Sequence, residues 1–367
     1  MVDASRRHLL RAGATAAVGS LFTAGASAAP PGANVNVNAN GKQVVVAPLS
    51  GTLGMRLASC VLTPKGAPVL VVVLDGTRML DIGVEARRQK RKLVFDPASM
   101  LSLIKAGNAG LAQVQALVER ALGGNGSGQA NFLPLGEAVF TSPIPRPDRN
   151  IYCVGWNYLD HFEEGKAARL DKVADKLPDH PVFFTKSTHT MNGPFDPIFQ
   201  DAANVSTDWE AEIAIVIGQS GRNISEERAM DHVFGYAAYN DTTVREIQQK
   251  RHGGQWFKGK SLDGHGPMGP FIVSAAGVKL DDVRVICRVN GVEKQNASYQ
   301  QMYFKIPRII AELSRGLTLE AGDIIATGTP SGVGFARKPQ EFLKPGDVME
   351  TEITGVGIMR NTIRAEG

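Results

Sequence analysis

The chain has 367 residues, of which 43% are hydrophobic and 21% are charged, and its formal net charge is +4. This composition is typical of a globular protein with two or three structural units. Because the net charge is small and spread along the chain, we predict no nucleic-acid surface. The three cysteines show neither the spacing of a metal site nor that of a disulfide framework, so we expect buried thiols.

Residues 1–28 have the composition of an export signal. The charged start Ser5-Arg6-Arg7-His8-Leu9-Leu10-Arg11 precedes a short apolar run and the small residues Ala26-Ser27-Ala28. This pattern predicts a signal peptide that is cleaved near Ala28, not a membrane span. The paired arginines resemble a twin-arginine (Tat) signal, which implies export of the folded protein through the Tat translocon to a bacterial periplasm. A plain secretory signal is the alternative.

Two segments separate this signal from the part of the chain that carries chemistry. Residues 29–42 are rich in Pro, Gly and Asn, which predicts a flexible leader. Within residues 43–142, strand-like runs are followed by helical stretches at Pro97–Lys105 and Leu111–Leu122. We predict a small α+β N-terminal domain with a supporting role.

Residues 143–367 carry the candidate chemistry, beginning with His161 and Glu164. If Tyr158–Glu164 is helical, these two side chains share one face of the helix. A carboxylate beside an imidazole fixes its tautomer and raises its basicity, which suits a general base acting on water. The alternatives are an ordinary exposed helix, or a non-helical turn in which Glu163 takes the place of Glu164.

The stretch from Asp208 to Gly218 is predicted as a strand. Side chains two residues apart on a strand point to the same face, so Glu210 and Glu212 stand side by side. Two adjacent carboxylates resist burial unless a cation compensates them, and Mg²⁺, Mn²⁺ and Ca²⁺ prefer oxygen ligands. The alternative is a solvated strand face that binds no ion.

A third carboxylate, Asp241, follows the next strand-like run. Thr243 and Glu246 form a capping-box pattern, which predicts that a helix begins there. Arg245 and Gln248 then project from one face of this helix near Asp241. If Asp241 converges on the two glutamates, the result is an open-sided octahedral site with positions for water and a chelating substrate. A role in a turn or cap is the alternative for Asp241.

Lys260 and a glycine-rich segment complete the candidate residues. Glycines and prolines around Lys260 could fix its ammonium in a cleft, where it would stabilise an enolate or a carboxylate. A solvated lysine is the alternative. The segment 327–334 lacks both the G-K-S/T ending and the G-x-G-x-x-G spacing of nucleotide-binding loops. Its N–H groups and Thr329 could instead hold a substrate carboxylate.

Together these motifs resemble those of the fumarylacetoacetate hydrolase (FAH) family. The matching series is Gly155-x-Asn-Tyr-x-x-His161-x-x-Glu164, Asp208-x-Glu-x-Glu212, Asn240-Asp241-x-Thr-x-Arg245-x-x-Gln248, Gly259-Lys260-Ser and Thr327-Gly-Thr-Pro-x-Gly-Val-Gly334. The resemblance covers about residues 143–367. It implies a mainly β protein with some α: an FAH-type mixed β-roll catalytic domain, here preceded by the small α+β N-terminal domain, usually as a homodimer.

The resemblance also implies a role for each matched residue. The metal is expected to be Mg²⁺ or Mn²⁺, with Ca²⁺ also compatible. The implied metal ligands are Glu210, Glu212 and Asp241. The implied catalytic residues are His161, Glu164 and Lys260. The implied substrate-binding residues are Arg245, Gln248 and Thr329.

The implied reaction is metal-dependent hydrolysis of a C–C bond in a 2-oxo or 1,3-dicarbonyl acid, such as an acylpyruvate or fumarylpyruvate, through an enolate held on the metal. Other reactions share this enolate. A lyase or isomerase is therefore the alternative: an oxaloacetate-type decarboxylase, a hydroxy-dienedioate isomerase or a ureidoglycolate-type lyase. An exported binding protein without activity is a further hypothesis. In each case we expect a small keto acid as ligand and no membrane contact after signal cleavage.

Overall fold

The computed structural model describes residues 34–37, 41–46, 54–63, 65–123, 130–166 and 176–367. The predicted signal peptide, residues 1–28, lies outside the described residues. Across these described ranges, no helix combines the length and the apolar composition that crossing a bilayer requires. The three cysteines are free and buried, as expected.

The N-terminal part of the described chain mixes short strands and helices. Its strands are β1 (Asn34–Val37), β2 (Gln43–Val46), β3 (Arg56–Val61), β4 (Val69–Val73), β5 (Arg78–Asp81), β6 (Phe132–Pro134) and β7 (Val139–Phe140). Its α-helices are α1 (Ile82–Arg88), α2 (Met100–Lys105) and α3 (Gly107–Leu122). Asp81 and Ser99 begin α1 and α2, because each side chain accepts a hydrogen bond from an N–H group of the first turn.

The leader that we predicted to be flexible, residues 29–42, contains a paired strand. β1 runs antiparallel to β2, with Val37 opposite Gln43. The alternation Asn-Val-Asn-Val has the period of a strand, and pairing with the β2 backbone outweighs the weak strand preference of asparagine. The other leader residues except 41 and 42 lie outside the described ranges.

The C-terminal part is rich in strands. These are β8 (Ile151–Gly155), β9 (Val182–Lys186), β10 (Met191–Asn192), β11 (Ile198–Gln200), β12 (Thr207–Asp208), β13 (Ala211–Ile217), β14 (Gly221–Arg222), β15 (Val233–Asn240), β16 (Thr243–Val244), β17 (Gly266–Ser274), β18 (Arg284–Val289), β19 (Val292–Ser298), β20 (Thr318–Leu319), β21 (Ile324–Ala326), β22 (Val348–Ile353) and β23 (Gly357–Ala365). The α-helices are α4 (Leu159–Gly165), α5 (Arg245–Lys250), α6 (Phe257–Lys260) and α7 (Ile306–Leu313).

One mixed sheet runs through both parts of the chain. Its order is β6-β5-β4-β3-β17-β15-β13-β21-β8-β9, with β7 beside β3 and β10 beside β17. Since β3 pairs with β17, this sheet crosses the predicted boundary between a domain at 43–142 and a domain at 143–367. A second sheet has the order β11-β23-β22-β18-β19. The predicted class, mainly β with some α, is confirmed.

The central strands β13 and β15 are buried along their whole length. Successive side chains of β13 enter two apolar clusters, since Ile213 and Ile215 belong to one and Ala214 and Val216 to the other. A strand that is buried on both faces has no solvated face. The alternative that Glu212 lies on such a face is therefore wrong.

Candidate active site

Three carboxylates meet where the two central strands lie side by side. Glu210 precedes β13, Glu212 lies within it, and Asp241 directly follows β15. The N–H of Asp241 donates to the carbonyl of Glu210 at 2.8 Å, which fixes the two strand ends together. One oxygen of each carboxylate lies within 4.8 Å of the others. The exposed fractions of Glu210, Glu212 and Asp241 are 5%, 1% and 0%. The predicted convergence of these residues is thus present.

Two buried lysines contact the cluster. The Nζ of Lys260 donates to Glu210 Oε2 at 2.6 Å and to Asp241 Oδ2 at 2.7 Å. Lys260 is the last residue of the short helix α6. The Nζ of Lys186 donates to Asp241 Oδ1 at 2.7 Å and to two backbone carbonyls. Sequence reasoning missed Lys186; its only signal is a single charge at the end of an apolar strand.

The two glutamates differ in their pKa values. Burial by itself would raise the pKa of Glu210, but the charges of Lys260 and Arg245 outweigh it and lower the pKa to about 2. Glu212 instead accepts the N–H of Gly328 at 2.7 Å. Burial, together with the negative charges of Asp241 and Glu210, raises the pKa of Glu212 well above its usual range.

This charge arrangement fits a divalent cation. Like-charged buried carboxylates disfavour ionisation, and a cation among their oxygens removes that penalty. The donor set of three carboxylate oxygens is one that Mg²⁺ and Mn²⁺ accept, with remaining positions open to water or substrate. Glu210, Glu212 and Asp241 can therefore hold the predicted metal.

His161 and Glu164 lie on α4 and share the expected face. His161 Nδ1 is 2.9 Å from Glu164 Oε1. Because an ionised carboxylate only accepts, Nδ1 carries the proton, and in the neutral imidazole Nε2 then has the lone pair. The N–H of Gly332 holds Glu164 in place, at 3.0 Å from Oε1 and 2.8 Å from Oε2. Glu163 points elsewhere and pairs with Lys166 at 2.7 Å, so the alternative with Glu163 is wrong.

Helix α5 places Arg245 and Gln248 together, as predicted. Arg245 Nη1 donates to Gln248 Oε1 at 3.1 Å, and Nη2 lies 2.7 Å from Glu210 Oε1. The ring of Phe335 lies 4.2 Å from Cζ of the guanidinium. Arg245 is thus held at the edge of the carboxylate cluster.

The predicted capping box at the start of α5 is wrong. Thr243 lies in β16, and its hydroxyl donates to the carbonyl of Asp241 at 2.8 Å. The helix begins after Val244, without a side-chain cap. The N–H of Glu246 donates to the Ser206 hydroxyl at 2.9 Å instead. A tertiary contact therefore replaces the local cap that the sequence pattern suggested.

Six of the nine candidate residues line one cavity: His161, Glu210, Arg245, Gln248, Lys260 and Thr329. Glu164, Glu212 and Asp241 are not among its lining residues. Aromatic side chains form much of its lining, including Trp156, Phe184 and Trp256. Trp256 packs edge-to-face on the other two, with ring centroids 5.1 and 5.2 Å apart. A Cβ on Gly155 would lie 2.6 Å from the Trp256 ring, so only glycine permits this packing. Apolar walls lower the local dielectric and strengthen the electrostatic effect of the charged residues.

The glycine-rich segment binds carboxylates of the protein itself. The N–H of Gly328 donates to Glu212, and that of Gly332 donates to Glu164. The N–H groups of Gly334 and of the next residue, Phe335, both donate to Asp208. We had expected the N–H groups of the segment 327–334 to hold a substrate carboxylate, which is wrong for Gly328, Gly332 and Gly334 because each already has an acceptor. The Thr329 hydroxyl donates to the carbonyl of Ala211 at 2.9 Å. Thr329 nevertheless lines the cavity.

The fold and this cavity define a class of protein: a β-rich protein with a buried carboxylate cluster beside an aromatic-lined cavity. The family described as fumarylacetoacetate (FAA) hydrolase, C-terminal, matches residues 150–364. The chain belongs to the fumarylacetoacetate hydrolase family, as its motifs predicted.

Three relatives illustrate the range of activities. Oxaloacetate tautomerase YisK of Bacillus subtilis is 41% identical over 80% of this chain and 95% of its own length. Human mitochondrial oxaloacetate tautomerase FAHD2A is 37% identical over 73% of this chain and 82% of its own length. The crystal structure of maleylpyruvate hydrolase from Sphingobium sp. SYK-6, in complex with Mn²⁺ and pyruvate, is 29% identical with a TM-score of 0.65. This structural match covers 85% of this chain and 100% of the hydrolase chain.

Proposed function

We propose that the protein catalyses the keto–enol tautomerisation of oxaloacetate or a similarly short 2-oxo dicarboxylic acid, with Mg²⁺ or Mn²⁺ held by Glu210, Glu212 and Asp241. The observation that carries this proposal is the buried ammonium of Lys260, which bridges Glu210 and Asp241 in the same cavity as His161. The two relatives named as oxaloacetate tautomerases, at 41% and 37% identity, support it. Our sequence-based expectation of C–C hydrolysis thus becomes the second candidate.

Lys260 acts as a fixed positive charge. When bound, the metal ion would polarise the 2-oxo group as a Lewis acid and make the neighbouring C–H more acidic. Burial by itself would lower the pKa of Lys260, but the charges of Asp241 and Glu210 raise it above its usual value. The lysine therefore stays protonated and cannot serve as the base. Its charge stabilises the oxygen of the developing enolate.

His161 moves the proton. Its Nδ1–H is held by Glu164, so Nε2 is free to accept a proton from carbon 3 of the keto form. The C–H electron pair then forms the C2–C3 double bond, and return of the proton to the 2-oxygen gives the enol. The carboxylate of Glu164 stabilises the imidazolium that forms between these two steps.

Arg245 and Gln248 bind and orient the acid. A guanidinium pairs with a carboxylate through parallel N–H bonds, which fixes the carbon skeleton as well as its charge. Both residues line the cavity beside Glu210, so a substrate carboxylate held there lies next to the metal-binding oxygens.

The test follows the ultraviolet absorbance of enol-oxaloacetate, which is lost on conversion to the keto form. With Mg²⁺ or Mn²⁺ we expect the protein to accelerate this loss, and a chelator should abolish the acceleration. Lys260→Met should lower kcat, whereas Lys166→Met, at an exposed lysine directly after α4, should not. No acceleration with either metal would refute the proposal.

The anchored His161–Glu164 pair favours the second candidate, hydrolysis of an acylpyruvate. His161 Nε2 would take a proton from water, and the water oxygen would attack the distal carbonyl carbon. The C–C bond then breaks, its electron pair remains on the pyruvate enolate, and a proton returns to carbon. The relative named maleylpyruvate hydrolase supports this reaction. Release of pyruvate from an acylpyruvate, detected with lactate dehydrogenase, separates hydrolysis from tautomerisation; pyruvate from oxaloacetate would instead indicate decarboxylation.

We continue to predict that the protein is exported through the Tat translocon to the periplasm. That it forms a homodimer also stays a prediction.

A further inference from the structure

Asp208 is a buried carboxylate that no step above uses. It lies in β12 with 0% of its surface exposed. Its Oδ1 accepts the N–H of Trp209 at 2.8 Å and that of Gly334 at 2.7 Å. Its Oδ2 accepts the N–H of Phe335 at 3.1 Å and the Nε–H of Arg245 at 2.7 Å. These four donors match the four lone-pair sites of a carboxylate.

The contacts of Asp208 hold the guanidinium of Arg245 in two ways. The Nε bond is charge-assisted and fixes one edge of the guanidinium plane. The same oxygen holds the backbone of Phe335, whose ring lies 4.2 Å from Cζ and supports the face of that plane. Since Nε has a single hydrogen, the N–H groups that remain are those of Nη1 and Nη2. These two nitrogens contact Gln248 and Glu210, at the cavity.

The glycine-rich segment allows this close approach. A Cβ on Gly334 would lie 2.8 Å from Asp208 Oδ1 and 1.9 Å from the carbonyl oxygen of Glu341. The same segment donates to Glu212 and Glu164. The carboxylate cluster, the His–Glu pair and the arginine are therefore all positioned by one stretch of backbone.

We propose that Asp208 is a positioning residue for substrate binding. It acts through Arg245, by holding the guanidinium plane so that Nη1 and Nη2 present their N–H groups to the substrate carboxylate. This inference rests on the proposed function, which assigns Arg245 to that carboxylate. A purely structural Asp208 would stabilise the protein and leave the affinity for the acid unchanged.

The experiment measures oxalate binding to the Mg²⁺-loaded protein by calorimetry, together with kcat and KM for oxaloacetate. Asp208→Asn keeps the size of the side chain and removes its charge. A hydrogen bond to a charged group is worth about 1.5–3 kcal/mol, so we expect the oxalate Kd and the KM to rise roughly ten- to a hundred-fold, and kcat to change less.

A double-mutant cycle tests whether Asp208 acts through Arg245. In an Arg245→Met background, Asp208→Asn should cause no further loss of oxalate affinity, because the group that it positions is gone. An equal loss in the wild-type and Arg245→Met backgrounds would overturn the proposal. So would wild-type affinity in Asp208→Asn.

Asp323 provides a matched control. It is 5% exposed and accepts Arg149 Nη1 at 2.9 Å and the N–H of Glu320 at 2.8 Å, but it does not line the cavity. Asp323→Asn should lower the melting temperature and leave the oxalate Kd unchanged. An increase in Kd equal to that of Asp208→Asn would mean that any loss of a buried carboxylate weakens binding, and would overturn the proposal.

Two outcomes separate this inference from the proposed function. If the wild-type protein binds oxalate and turns over no keto acid, the proposed function fails while the binding test of Asp208 still stands. If Arg245→Met binds oxalate as the wild type does, the inference fails whatever the activity.

Should Asp208→Asn not fold, Phe335→Leu removes the supporting ring and should raise the oxalate Kd roughly two- to five-fold. An unchanged Kd in that variant would contradict the inference.

Discussion

Two groups of charges in this molecule, one buried and one partly buried, differ in their balance. In the active-site group, three cations (Lys186, Arg245 and Lys260) face four carboxylates (Asp208, Glu210, Glu212 and Asp241), which leaves one excess negative charge when all four carboxylates are ionised. On the second sheet, two arginines (Arg288 and Arg360) face two carboxylates (Glu350 and Glu352), and no charge is left over.

The balanced group has the geometry of a structural network. Arg288 lies opposite Glu350 on the neighbouring strand, and Glu350 lies opposite Arg360 on the next. Such cross-strand pairs of opposite charge stabilise a sheet. In the active-site group, burial and like charges instead raise the pKa of Glu212, which costs folding free energy. An unbalanced buried group therefore indicates a cation that the folded chain is built to bind.

The largest expected effect is that of Glu212→Gln, which removes both the excess charge and one of the proposed metal ligands. Loss of the metal's contribution should lower kcat/KM by roughly 10³-fold, or about 4 kcal/mol of transition-state stabilisation. Tautomerisation kinetics and calorimetric titration with Mg²⁺ measure it. The same change in the balanced group, Glu350→Gln, should leave kcat/KM and the Mg²⁺ affinity unchanged. Undiminished Mg²⁺ binding and turnover in Glu212→Gln would refute the metal site.

His161→Ala separates the base from the metal site. We expect turnover to fall roughly a hundred-fold or more, with Mg²⁺ affinity intact, because in the proposed mechanism the imidazole moves the proton and holds no metal. Glu163→Ala is the control, since Glu163 lies two residues away, is exposed and pairs with Lys166. Unchanged kinetics in His161→Ala would exclude it as the base.

A bound cation should stabilise the unbalanced group. At a Mg²⁺ concentration of one hundred times Kd, the free energy of unfolding should rise by about 2.7 kcal/mol relative to chelator-treated protein. Urea unfolding with and without Mg²⁺ measures this difference. The gain should vanish in Glu212→Gln; an equal gain in that variant would mean that Mg²⁺ binds elsewhere.

The smallest effect is expected in the balanced group. Arg288→Met removes charged hydrogen bonds to Glu350 and Glu352, at 2.6 and 2.7 Å. The free energy of unfolding should fall by about 2 kcal/mol, because partial exposure screens the loss. Urea unfolding measures it, and kcat/KM should not change. A fall in kcat/KM without a fall in stability would mean that the two groups of charges are coupled.

The candidate residues that were predicted best are those related by local geometry. Glu210 and Glu212 share one face because strand periodicity places them two residues apart. His161 and Glu164 meet because they stand three apart on a helix, and their bond is present at 2.9 Å. Local patterns also misled, since the capping box at Thr243 has the right residues but the Ser206 hydroxyl takes the N–H of Glu246.

The residues that were missed depend on contacts between distant parts of the chain. Lys186 reaches Asp241 across 55 residues, and Gly332 reaches Glu164 across 168 residues. No spacing in the sequence encodes such pairs, because they arise only when strands and loops take their places in the fold. Asp208 was visible in a motif, yet its partners Gly334 and Arg245 lie on two other segments.

By itself, the sequence determined the family, the β-rich class and the oxygen ligands available for a cation, because these follow from motifs and from the periodicity of strands and helices. Only the tertiary structure decided that the carboxylates are buried and that two lysines and one arginine balance their charge incompletely. It alone also decided that the N–H groups of the glycine-rich segment bind the protein's own carboxylates. Burial and charge balance are properties of everything that surrounds a residue. For Glu212 those surroundings come from segments as far away as Gly328, so the fold alone assembles them.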